Sequence, residues 1–327
     1  MNRGLNRFAI LVACATFFLI IAGALVTSND AGLATSDWPL SNGQFLPKMV
    51  GNLFWEHGHR MVATTVGVLT IVLAVYIRLK EKREWVWKLT LFALIAVVAQ
   101  GLLGALTVKM NLPLAVSAAH ATLAQLFFCT TVSIAVFTSR SWIAAEPLHE
   151  EKDVLPLRYL CTAALVTIFL QLIIGATLRH SAPWDQRLPT ELIAAHVIGA
   201  LAVTLALGSA AITTLKRHKD QAFLTRPAVI ALSLLIVQLF LGLAAYLTRA
   251  ASPKDPQPLN PMISITVAHV ACGALVFVST IVLTLRTYRV LKGDFVGAAL
   301  RGRPSSPISV TAQHGRPQSA APTIGQS

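Results

Sequence analysis

Residues 170–180 read LQLIIGATLRH, and the same wording returns twice in the chain. AQGLLGALTVK occupies 99–109 and VQLFLGLAAYLTR occupies 237–249. Each copy sets a Gln four residues before a Gly: Gln100 and Gly104, Gln171 and Gly175, Gln238 and Gly242. A fainter copy, LIIAGALVT at 19–27, keeps Gly23 without the Gln. Long apolar stretches punctuated by small residues are what closely packed membrane helices use, since Gly and Ala let backbones approach.

A helix needs about 20 mainly apolar residues to cross the hydrocarbon of a bilayer. Eight such runs are centred near Phe18, Leu69, Val97, Leu126, Ile168, Leu205, Leu235 and Val276. Between them they leave no room for a large soluble domain in 327 residues. With 55% hydrophobic and 13% charged residues and a mean hydropathy of +0.65, the composition excludes an ordinary soluble protein. The fold class expected is all-α integral membrane, with eight transmembrane helices.

The net charge of +13 is explained by topology rather than by nucleic acid. With a cytoplasmic N-terminus, 20 of the 27 Lys and Arg fall on inner segments. The positive-inside rule then puts both termini in the cytoplasm, as an even number of spans requires. All six tryptophans fall in loops or at span ends, where an interfacial belt belongs. The first apolar run, followed by seven more, reads as a retained helix rather than a cleaved signal peptide. Cys14, Cys129, Cys161 and Cys272 lie inside spans and read as small packing residues, with no zinc-site spacing.

After each repeat copy comes an outer loop, then a histidine that opens the next span: His59, His120, His196 and His269. Spans two, four, six and eight run in the same direction, so all four histidines belong near the outer face. This predicts two pseudo-symmetric four-helix bundles. Residues 1–138 form one half and 157–292 the other. A cytoplasmic linker, 139–156, joins them, and a Pro/Ser/Gly/Gln-rich tail, 293–327, is expected to be disordered.

A single histidine at a span entrance usually sits in the headgroup region or donates one hydrogen bond. Four at equivalent places are harder to dismiss, because ionisable groups within spans are costly and face the bundle interior. Facing imidazoles across a bundle are a way to hold haem iron. Zinc would want three or four ligands in tetrahedral geometry, often with Cys or acidic partners. Here the histidines come one per helix among small residues: SAAHATLAQ, IAAHVIGAL and TVAHVACGAL. That suggests one haem-type site per half.

The halves differ. His196 and His269 have no acidic residue in the adjacent inward turn, which suits electron transfer. In WEHGHRMVATTVG, which starts at Trp55, Glu56 precedes His59 by three residues and Arg60 by four. At about 100° per residue these three share one helix face, while His57 points elsewhere. His57 is therefore expected at the surface or packed on the loop. A carboxylate beside a haem, at a helix N-terminus, suits general acid–base work or stabilisation of a cation. Arg60, Lys109, Arg179 and Arg249 are outer-side cations suited either to haem propionates or to anchoring at the interface.

GLATSDWPLSNGQFLP in the first outer loop, EHGHR at span two and the histidines opening spans four, six and eight resemble the haem A synthase family, over about residues 5–290. The resemblance implies an eight-helix bacterial inner-membrane enzyme that oxidises the C8 methyl of haem O to the formyl of haem A. It implies that His196 and His269 bind a haem b cofactor, with Arg179 and Arg249 beside it. It further implies that His59, His120 and Arg60 bind the substrate haem and that Glu56 is the catalytic acidic residue. The implied partners are a haem O synthase (farnesyltransferase) and a quinone or other electron acceptor, with a homo-oligomer left open. Many members carry a cysteine pair in the first outer loop, where this chain has Thr35 and Ser41. Two other readings are weighed: a bis-histidine cytochrome that only passes electrons, and a transporter with histidine proton relays. Glu56 beside His59 favours the first reading, since electron transfer alone needs no acid there.

Overall fold

The computed structural model describes residues 2–148, 156–181, 188–251 and 258–291. The acidic part of the linker (Glu150, Glu151, Asp153), the middles of the third and fourth outer loops and the tail 293–327 lie outside the described residues.

Eight long helices carry the chain: α1 (Arg3–Ser28), α2 (Asn52–Lys80), α3 (Glu84–Lys109), α4 (Leu114–Phe137), α6 (Leu157–His180), α7 (Thr190–Arg217), α8 (Ala222–Ala251) and α9 (Asn260–Val290). A single turn, α5 (Arg140–Ile143), lies between the fourth and fifth of them. Local chemistry marks their ends. The Asn2 side chain accepts from Leu5 N at the start of α1, and Pro113, Pro156 and Pro189 immediately precede α4, α6 and α7. Arg78 and Lys80, Lys109, Arg179, Lys216 and Arg217, and Arg289 occupy last turns, where cations meet the negative end of the helix dipole. Inside the spans, hydroxyls bond back to their own helix, as Thr16 does to Val12 O and Thr70 to Val66 O, both buried. In hydrocarbon no water would satisfy them.

Helices α1 to α4 pack in a closed ring, α1 on α2, α2 on α3, α3 on α4 and α4 on α1. Helices α6 to α9 do the same, and the rings meet where α1 and α4 touch α9 and α4 touches α6. Each ring has its own apolar core. Val12, Val66, Leu73 and Ile134 lie in the first; Cys161, Leu207, Leu235 and Phe277 lie in the second. Ile20, Phe128 and Ala274 fill the seam between them. Outward faces stay apolar, with Ile71 and Val75 of α2, Ile95 and Val98 of α3, and Phe240 and Leu243 of α8 all exposed. So much exposed apolar surface belongs in lipid. All eight long helices have the length and hydropathy to cross a bilayer, so this is a multi-pass membrane protein.

Of the four cysteines, Cys129, Cys161 and Cys272 are buried as expected for packing residues, whereas Cys14 is exposed on the outer face of α1. Which side of α1 turns outward depends on its packing against α2, α4 and α9, and the nearly uniform apolarity of the segment does not reveal it.

Candidate functional site

Each of the four histidines lies against the glycine of the preceding long helix. His196 of α7 crosses Gly175 of α6 so closely that a methyl there would lie 2.9 Å from its Cε1. At Gly242 of α8 a methyl would lie 3.0 Å from His269 Cε1. At Gly175 a methyl would force the ring to shift, and at Gly242 the ring would have to give by a few tenths of an ångström. Looser versions of the contact occur at Gly23 against His59 (3.1 Å) and at Gly104 against His120 (3.4 Å). The repeat seen in the sequence is thus a helix-crossing device that seats an imidazole on bare backbone.

The histidines also pair. The rings of His196 and His269 are 6.3 Å apart between centres and inclined at 69°. A metal bound to one nitrogen of each ring, with bonds of about 2 Å, fits that separation. His59 and His120 are electrostatic neighbours in the first ring. Nδ1 of His59, His120 and His269 is buried without a hydrogen-bond partner. Buried unpartnered nitrogens are costly unless something else engages them. Among the described residues no three of His, Cys, Asp and Glu cluster as a tetrahedral metal site would need. Two imidazole pairs with spare nitrogens could each hold a haem iron.

Around His59 the helix start is tied to the loop between α1 and α2. Glu56, only 4% exposed, forms an ion pair with Arg60 one turn along and accepts from Thr35 N at 3.1 Å. Arg60 donates through Nη1 to Asp37 O (2.9 Å), Leu40 O (2.7 Å) and Ser41 Oγ (3.3 Å). His57 is buried, with Nδ1 2.9 Å from Ser41 Oγ. Of the two settings expected for His57, it therefore has the loop-packing one. The loop itself is shaped by a tight turn at 41–44, where Asn42 and Gly43 have φ of 52° and 71° and Ser41 and Gln44 exchange backbone hydrogen bonds. Asp37 caps that turn by accepting from Gly43 N at 2.7 Å, and this bond holds its carboxyl below the usual carboxylate range. Thr35 and Ser41 thus join the loop to α2 by hydrogen bonds.

Three further cations at helix ends, Arg179, Arg249 and Lys109, are spread over both halves. Arg179, at the end of α6, donates to Ala24 O (3.1 Å) and Ser28 Oγ (2.7 Å) of α1 and so spans the seam between the rings. Arg249 and His269 are its electrostatic neighbours. Lys109 reaches Ser36 O in the first loop at 3.3 Å.

Sequence reasoning missed two features. His180, at the end of α6, is an electrostatic neighbour of both His120 and Arg179. The glutamines of the repeat reach the histidines: Gln171 Nε2 is 3.0 Å from His196 Nδ1, and Gln238 Nε2 is 3.3 Å from His269 Nε2. Their fixed spacing from the glycines was the available signal.

Residues 48–183 match the family described as "Cytochrome oxidase assembly protein" (COX15-CtaA). Among curated proteins, "Heme A synthase" of Bacillus licheniformis is 24% identical over 76% of this chain and 88% of its own length. "Heme A synthase" of Geobacillus kaustophilus is 24% identical over 88% of this chain and 94% of its own length. That of Shouchella clausii is 27% identical over 77% and 90%.

Proposed function

We propose, from its similarity to curated haem A synthases and to the cytochrome oxidase assembly family over residues 48–183, that this chain is an oxidoreductase converting the C8 methyl of haem O to the formyl of haem A. Two successive hydroxylations take the methyl to a gem-diol, removing four electrons in all, and loss of water leaves the aldehyde. The observation that carries this reading is an asymmetry between two otherwise matching histidine pairs. Among the described residues, only the first has a buried carboxylate, Glu56, one turn from a histidine.

In this reading haem b is the resident cofactor, and it supplies one-electron redox chemistry when bound. His196 and His269 would hold it, and their 6.3 Å separation supports that assignment. Arg179 and Arg249, adjacent cations at the outer end of the second half, suit its propionates. His59 and His120 bracket the substrate haem. Arg60 would reach a substrate propionate through donors that the loop leaves unused. Glu56, held by Arg60 and Thr35 N, takes up a proton as oxygen adds to the methyl carbon and returns one as the gem-diol loses water. The first loop, fastened over this end, excludes bulk water.

The two four-helix halves are read as pseudo-symmetric, each serving one haem. The charge distribution supports a bacterial plasma-membrane location with both termini cytoplasmic. A haem O synthase is the expected donor of substrate, and a membrane quinone or other acceptor takes the electrons. Expressing the chain with a haem O source, in a host that makes no haem A, tests the reaction. Mass analysis of extracted haem should show haem A; haem O alone would overturn the reading.

A further inference from the structure

Three glutamines lie one helix turn from the glycines that seat the histidines, and the proposed reaction gives them no task. In the second half each is enclosed. Gln171 Nε2 donates to His196 O at 2.8 Å while lying 3.0 Å from that ring's Nδ1. Its carboxamide fills the place that a Cβ on Gly199, one turn along α7, would take. Gln238 Nε2 lies 3.3 Å from His269 Nε2, and a Cβ on Gly273, one turn along α9, would meet it at 3.1 Å. Each clasp therefore takes a Gln from one helix and a His and a Gly from the next.

The first half has this arrangement only in part: Gln100 Oε1 is also buried and unpartnered, and His120 meets the Gln100 backbone, but no facing glycine completes a clasp. After His120, α4 has Leu123 and Ala124 in place of the glycine, and α1 has Leu19 where the Gln would stand. Nδ1 of His59 and of His120 is buried without a partner, as is that of His269, so the halves differ in the glutamine side chains that reach His196 and His269.

We propose that Gln171 and Gln238 are positioning residues that fix the His196 and His269 rings and retain the resident haem, while the less clasped first half is built to exchange its haem. This rests on the two-haem reading above. Oε1 of Gln171 and of Gln238 is buried and unpartnered, so each clasp holds an acceptor in reserve beside an imidazole. A metal-bound histidine donates its other ring proton to such an acceptor, which fixes ring orientation and ligand basicity. Carboxamide O and N exchange places with little change of shape, so the side chain can serve either nitrogen.

The test uses the purified full-length protein carrying haem b. Gln171→Leu and Gln238→Leu should shift the low-spin electron paramagnetic resonance g-values and the haem b midpoint potential. They should also speed haem transfer to apomyoglobin by about 10- to 100-fold. Gln171→Glu keeps an acceptor and should restore retention while shifting the potential, and Gln100→Leu should leave the haem b signals unchanged. A packing role alone would lower yield without moving g-values or potential. Wild-type g-values, potential and transfer rate in both Leu variants would overturn the proposal. If those variants do not accumulate, an unchanged potential in Gln171→Glu and Gln238→Glu would overturn it equally. A wild-type protein without a haem b spectrum would instead overturn the two-haem reading, before any substitution is made.

Discussion

Glu56 and Arg60, one turn apart on α2, form an ion pair that is also the fastening of the loop between α1 and α2. The carboxylate holds Thr35 N, and the guanidinium holds Asp37 O, Leu40 O and Ser41 Oγ. The group proposed to move protons is thereby oriented by the lid above it.

Replacing Glu56 should separate chemistry from cofactor binding. Glu56→Ala should retain haem b, since His196 and His269 lie in the other half, yet form no haem A. It strands a mostly buried Arg60, which for a buried pair costs about 3–5 kcal/mol, so Glu56→Gln is the gentler companion. Haem analysis of both checks this: normal haem A from either would remove Glu56 from the mechanism.

The loop should not depend on thiols. Ser41 Oγ meets both His57 Nδ1 and Arg60, and Thr35 N meets Glu56. Reductant should therefore leave haem A formation unchanged. Ser41→Ala, which strands the buried His57 ring, should destabilise the protein by about 1–3 kcal/mol. Thermal unfolding in detergent measures the second effect, and activity with and without reductant the first.

The glycine seats give a steric prediction with an internal control. Gly175→Ala places a methyl 2.9 Å from His196 Cε1, so it should displace the ring and weaken the low-spin haem b spectrum. Gly208→Ala meets nothing within 4 Å and should be neutral or slightly stabilising, as Ala is the better helix former. Optical spectra of the two variants provide the comparison.

Acid should loosen the turn at 41–44. Asp37 is held below its ordinary value of 3.8, chiefly by the Gly43 N–H. A carboxyl depressed in the folded state contributes stability above its unfolded value and loses it as pH falls through the folded one. Hydrogen exchange at Gly43 should therefore accelerate below about pH 4, and Asp37→Asn should flatten that dependence.

The sequence made the eight spans legible because length and hydropathy suffice to mark them, and it marked the four histidines because they recur at one place in a repeat. The clasp by Gln171 and Gln238 was visible as spacing but not as function, since it depends on how two helices cross. The ties from Thr35, Asp37 and Ser41 to Glu56, His57 and Arg60 link positions about 16–23 residues apart through loop geometry, which no periodicity encodes. The outward turn of Cys14 was hidden for a related reason: α1 is apolar on every side.

The central claim is a division of labour between the halves, and haem content of paired histidine variants tests it most directly. His196→Ala and His269→Ala should abolish the low-spin haem b spectrum. His59→Ala and His120→Ala should keep that spectrum and still form no haem A. Loss of haem b in the first-half variants, or its survival in the second-half ones, would contradict the account.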